Sequence, residues 1–280
     1  MRATIVDGLD AILESIRGFR WTEFSPYFLL FGIQFVFLAL TTQMHMAWAM
    51  GLVAPVVEWT GGESHLHYPA FYGYLPVSMA WVEAALYAFP GCVLIPLSLL
   101  RLLARSDRAL SLGAGAAGRL AGAVPPTLFA ALIGVGAVWG WQGTAAPAIG
   151  RVLLTFVPAT AAAFTIWCVA VLGGYLVLSL LLYIPIAAVQ ARASLFGSIG
   201  RGVAAGLRLL PLTLMFAVLF ALPTILIQFI LERQTALIIT RLRPEAIPIL
   251  LAFYAFFTAL ATYLTYGAGL RLYRMIRRGA

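Results

Sequence analysis

Lysine is absent: all 18 basic residues of this 280-residue chain are arginine. Charge of either sign is scarce, at 10% of residues, and 62% are hydrophobic, so a water-facing surface is excluded as the main one. Cysteine occurs only twice, as Cys92 and Cys168, both inside apolar runs. Two thiols at membrane depth exclude a disulfide framework or a cysteine zinc site and read as small apolar side chains. The three histidines are confined to positions 45–67, which leaves the other serines and cysteines without a nearby base and argues against nucleophilic catalysis. A formal net charge of +8 would suggest nucleic acid in a soluble protein. No basic run with interleaved aromatics is present, so no nucleic-acid partner is expected.

Long apolar runs are what the chain does have. A hydrocarbon core of about 30 Å needs roughly 20 apolar residues as helix. Six segments qualify: about 27–47, 76–100, 124–142, 163–188, 211–231 and 247–270. Fourteen arginines fall before the first, between the second and third, between the fourth and fifth, and after the sixth. Only Arg151, Arg233, Arg241 and Arg243 fall on the other side, which predicts cytoplasmic N- and C-termini. The expected fold is therefore all-α: a polytopic integral membrane protein with six transmembrane helices in three hairpins, N-in/C-in. Exclusive use of arginine points to a GC-rich bacterial genome and the cytoplasmic (inner) membrane.

The first 24 residues do not read as a signal peptide, because Asp7, Asp10, Glu14 and Glu23 interrupt them. Ile5, Leu9, Ile12, Ile16 and Phe19 share one helical face. The pattern predicts an interfacial amphipathic helix, anchored by Trp21 and Phe24 and broken by Pro26.

Two stretches, 94–126 and 183–211, look alike. Each has Ile-Pro (Ile95-Pro96, Ile184-Pro185), then Ala-Arg (Ala104-Arg105, Ala191-Arg192), a small-residue segment ending in Arg119 or Arg208, and a proline, Pro126 or Pro211. The chain reads as a single membrane domain, 1–280, with internal repeats 1–103, 104–190 and 191–280. Each unit is an interfacial amphipathic helix followed by a hairpin. This layout resembles that of several bacterial polytopic families and implies no chemistry.

Gly113, Gly115 and Gly118 spell GxGxxG, but a short loop between spans has no room for the sheet that a dinucleotide needs. The segment FGSIGRG at 196–202 lacks a phosphate-binding lysine. Glu83 stands out as a carboxylate roughly 10 Å deep in the second span, by the rise of a helix, which makes it a proton or transport candidate. His45, near the outer end of the first span, is expected at similar depth, and Arg151 is a pairing candidate for Glu83. His45, His65 and His67, with Met44 and Met46, make a candidate metal or haem site, since imidazole with thioether suits copper. Otherwise no cofactor is called for. Gly136 and Gly140, and Gly173-Gly174, are helix-packing candidates.

Three functions follow. The first is a non-enzymatic membrane scaffold or accessory subunit, with the lipid bilayer and a membrane-protein partner or second copy as its contacts. The second is a transporter or lipid-handling protein using Glu83 and His45. The third is a metal- or haem-bearing subunit using the His/Met cluster.

Overall fold

The computed structural model describes residues 4–43, 54–55, 57–59, 62–66, 70–106, 114–140, 146–156, 176–190, 194–216 and 246–278, with isolated positions 51, 158, 173 and 219. Within these, the side chains at 38–43, 65, 70–80 and 83 and at several helix termini fall outside the description.

Every regular element among the described residues is helical. In chain order they are α1 (Ile5–Arg17), α2 (Trp21–Gln43), a 3₁₀ turn at Glu63–Leu66, α3 (Ala70–Ser106), α4 (Ala114–Gly140) and α5 (Ala146–Leu153). Then come α6 (Tyr183–Gln190), which ends an apolar helical stretch begun at Leu176, α7 (Leu195–Phe216) and α8 (Ala246–Arg278). Four stretches are long and apolar enough to cross a membrane: Ala84–Arg105, Gly115–Ala137, Leu195–Phe216 and Ile249–Arg277. The chain is thus a helical membrane protein by composition and length.

The break before α2 lies elsewhere than expected. Helix α1 stops at Arg17, the chain bends at Gly18–Arg20, and Pro26 lies inside α2 rather than ending a helix. Pro125 and Pro126 likewise sit inside α4. Arginines expected in intervals between spans are on helices: Arg101 and Arg105 on α3, Arg119 on α4, Arg201 and Arg208 on α7. Gly115 and Gly118 stand in α4, with helix rather than a strand-to-helix turn around them. The fifth expected span, 211–231, overlaps α7 only at 211–216 and otherwise falls almost wholly outside the described residues.

Helix α1 begins with a capping box. The Thr4 backbone N–H donates to Asp7 Oδ2 at 2.7 Å, and the Asp7 N–H donates to Thr4 Oγ1 at 3.3 Å. That pairing holds the Asp7 carboxyl below its ordinary 3.8, chiefly through the backbone N–H and then the hydroxyl. The helix has three faces. Gly8, Ala11, Ile12 and Ser15 are buried, with Gly8 against Leu212 of α7 and Ser15 against Gly267 of α8. Asp7, Asp10, Glu14 and Arg17 form a charged stripe, while Ile5, Leu9, Leu13 and Ile16 are exposed apolar residues. Positions three and four apart share a face, which is why the three sets separate.

Helix α2 lies between α3 and α8; α3 also packs along α4, and α6 touches α4, α8 and α3. The core gathers Phe24, Tyr27 and Leu30 of α2, Ile95 and Leu99 of α3, Tyr183 and Ile186 of α6, Leu209 of α7, and Tyr263 and Leu272 of α8. Other faces of α2, α3, α4 and α8 carry exposed Phe28, Leu29, Phe89, Val93, Leu132 and Phe253. Hydroxyls within these helices bond back to their own carbonyls four residues earlier, as Thr127, Thr258, Thr262 and Thr265 do at 2.7 Å. This satisfies polar groups without a partner helix or water, as hydrocarbon surroundings require.

Candidate functional site

One carboxyl lies in the interior of the described residues, and it is Glu23, only 3% exposed. It stands in the first turn of α2, with Tyr27 and Leu30 on the same face, and that face is buried. Tyr263 of α8 donates its hydroxyl to Glu23 Oε2 at 3.2 Å. Ser98 of α3 donates to the Glu23 backbone carbonyl at 2.6 Å. A single residue therefore ties three helices through one side-chain and one main-chain bond.

Pro26 accounts for the next layer. A proline lacks the N–H that would bond the carbonyl four residues back, here that of Thr22. Arg101 of α3 donates Nη1 to this Thr22 carbonyl and reaches Ser25 Oγ at 3.4 Å. Two further arginines meet carbonyls at the end of α1, that of Glu14 also accepting the Gly18 N–H at 2.9 Å. Arg105 donates to the Gly18 carbonyl at 2.7 Å, and Arg271 of α8 donates to the Glu14 carbonyl at 3.0 Å. Arg271 also forms an ion pair with the Glu14 side chain. Cations at a helix C-terminus meet both its unpaired carbonyls and the negative end of its dipole.

Aromatic rings close over this seam. Tyr27 stacks on Tyr266 with centroids 5.8 Å apart, and Tyr263 meets Phe24, Phe19 and Tyr27 edge to face at 5.5–6.0 Å. The Tyr27 hydroxyl is fully buried and has no partner meeting hydrogen-bond geometry among the described residues. Ser98 stands beside it, with its own proton spent on Glu23.

A second seam joins α7 to α6. A Cβ on Gly202 would lie 2.5 Å from Ile184 Cα, and one on Gly206 would lie 2.6 Å from the Leu180 carbonyl oxygen. These glycines are four apart on one face, and only their lack of side chains lets the backbones approach so closely. Tyr183 and Thr213 share a hydrogen bond of 2.8 Å across the same contact.

The residues singled out from the sequence are not brought together among the described residues. Glu83 is on α3, with its side chain outside the description, and Arg151 is exposed on α5. His65 lies in the 3₁₀ turn, its side chain likewise outside; Met44, His45, Met46 and His67 fall outside the described residues altogether. No group of three or more His, Cys, Asp or Glu that could hold a metal occurs among the described residues. A Cβ on Gly136 or Gly140 would meet nothing within 4 Å there, Gly173 is helical, and Gly174 is outside.

Sequence reasoning passed over Glu23 and the Gly202/Gly206 pair. The spacing Glu23, Tyr27, Leu30 is the available signal for the first, since it puts the carboxyl on the aromatic stripe of α2. The spacing GxxxG at 202–206 is the signal for the second, masked by the flanking Arg201 and Arg208. No protein-family model matches the chain, and comparison with curated proteins and with solved structures gave no match.

Proposed function

We propose that the protein is a non-enzymatic scaffold or accessory subunit of a bacterial inner-membrane complex. In this reading the chain threads the membrane six times as three hairpins, with its arginine-rich intervals and both termini in the cytoplasm. The observation that carries the proposal is the outer face of α4. Phe129, Leu132, Ile133 and Gly136 share that face, and all four are exposed. The opposite face of α4 is occupied, with Gly134 set against Leu178 and Leu181. Gly136, with open space around it and large apolar side chains beside it, suits a neighbouring transmembrane helix, because close backbone approach supplies the van der Waals contact that lipid does not.

The polar groups at the helix seams support a structural role. Arg101, Arg105, Arg271, Ser98 and Tyr263 are all engaged in joining one helix to another. Native mass spectrometry of protein extracted from its own membranes in mild detergent tests the reading. The expected result is a stoichiometric partner, either another membrane protein or a second copy, lost when Gly136→Leu and Gly140→Leu are combined. A wild-type protein that emerges only as a lone monomer would refute it.

A further inference from the structure

Arg105 and Arg271 come from different helices, yet both reach Gly18. Arg105 Nη1 lies 3.1 Å and Arg271 Nη2 lies 3.4 Å from the position a Gly18 Cβ would take. Arg101 stands one turn before Arg105 and reaches the start of α2. Two carboxyls are close: Glu14, exposed and paired with Arg271, and Glu23, buried and bonded to Tyr263. No carboxylate among the described residues is bonded to Arg101 or Arg105. Each guanidinium carries five donors, and Arg105 spends one of them on the Gly18 carbonyl. The remaining donors of clustered guanidiniums match the oxygens of a phosphate.

Exposed apolar residues flank Gly18 on both sides, Ile16 before it and Trp21 after it. Ile5, Leu9, Leu13 and Ile16 line one face of α1, and Trp21, 63% exposed, continues it beyond the bend. Phe28 and Leu29 extend the same character onto α2, one of the long apolar helices. The charged stripe of α1 lies on a different face. A helix so divided lies flat where headgroups meet acyl chains, and an indole belongs at that level.

We infer that Arg101, Arg105 and Arg271 bind the phosphate of an anionic phospholipid whose acyl chains lie along the exposed apolar face of α1. The inference rests on the membrane placement proposed above, but not on the existence of a partner protein. Charge complementarity selects an anionic lipid, and the exposed Ile16 and Trp21 on either side of Gly18 select a lipid over a free anion. The site serves as a lock: the lipid neutralises guanidiniums that the link between α1 and α2 holds close together.

The test is lipid retention by the purified full chain in mild detergent, followed by native mass spectrometry. Phosphatidylglycerol and phosphatidylcholine of identical acyl chains are the probes, and inorganic phosphate is the competitor. The wild type should retain phosphatidylglycerol at least ten-fold better, and millimolar phosphate should not displace it. Arg105→Gln should reduce that preference roughly five-fold, the value of one basic residue at an anionic surface, while Arg105→Lys should keep most of it. Leu9→Ser with Leu13→Ser should weaken both lipids alike. Equal retention of the two lipids by the wild type would overturn the inference even if every variant misfolded. Displacement of phosphatidylglycerol by inorganic phosphate alone would overturn the lipid as the source of the anion. Release of the protein from membranes by alkaline carbonate would instead defeat the membrane placement, so the two failures are distinguishable.

Discussion

Replacing Gly202 by alanine adds one methyl group and should cost more than most surface truncations. The new Cβ would lie 2.5 Å from Ile184 Cα and 2.7 Å from Ile184 N, both backbone atoms that no rotamer change can move aside. Carbon atoms rest at about 3.5–4.0 Å, so α7 must retreat from α6 by roughly 1 Å. That retreat loosens the packing along the seam and stretches the 2.8 Å bond between Tyr183 and Thr213. Overpacking of this kind costs about 1–3 kcal/mol. A loss near 2 kcal/mol lowers the ratio of folded to unfolded protein about 30-fold. Gly206→Ala should behave alike, because its Cβ would meet the Leu180 carbonyl oxygen at 2.6 Å. Gly136→Ala is the control: the same chemistry at a helical glycine with open space around it should raise helix stability by about 0.5–1 kcal/mol. Thermal unfolding in detergent, followed by circular dichroism, reads all three. If Gly202→Ala melts at or above the wild-type temperature, the close α6–α7 approach is refuted.

The Thr22 carbonyl, freed by Pro26 and covered by Arg101, makes a double-variant cycle possible. Arg101→Gln should destabilise by about 1.5–3 kcal/mol, and Pro26→Ala should recover part of that loss by restoring the main-chain donor; additive losses would speak against the coupling. Tyr263→Phe should cost about 1 kcal/mol through the lost bond to Glu23, and Glu23→Gln should be milder than Glu23→Ala, since an amide oxygen still accepts from Tyr263. Equal melting of the Gln and Ala variants would contradict that order. The Asp7 carboxyl is depressed in the folded state, so its stabilisation of α1 is complete above 3.8 and fades as pH falls through the lower folded value. An NMR titration should show the first turn of α1 loosening in acid, and Asp7→Asn should remove the dependence.

Hydropathy alone makes the helical class legible, and α3 and α8 fall largely where their apolar runs predict. The helix ends were less so. Proline marks the end of a helix only when nothing replaces its missing donor, and Arg101, 79 positions from Thr22, is that replacement. Glu23 reads as an interfacial residue because the sequence around it is charged. Its burial depends on Tyr263, 240 positions away, which no local window contains. The arginines read as markers of the cytoplasmic side, yet Arg101, Arg105 and Arg271 also bond main-chain carbonyls, a use that only the packed arrangement discloses. Gly202 and Gly206 were obscured because Arg201 and Arg208 make the segment look like an interval between spans. The histidines, and the methionines at 44 and 46, lie outside the described residues, apart from the backbone of His65.

The contacts of α1 also bear on biogenesis. Gly8 rests on Leu212, Ser15 on Gly267, and Glu14 is held by Arg271, so α1 is seated by residues made well after it. At a synthesis rate of about 5–20 residues per second, α1 waits roughly 10–50 s for the groove that receives it. During that interval its small-residue face lacks the Gly267 side of its seat. The seating of α1 on α8 is thus a late step in assembly, and a nascent chain stalled before Gly267 would leave the small-residue face of α1 incompletely covered.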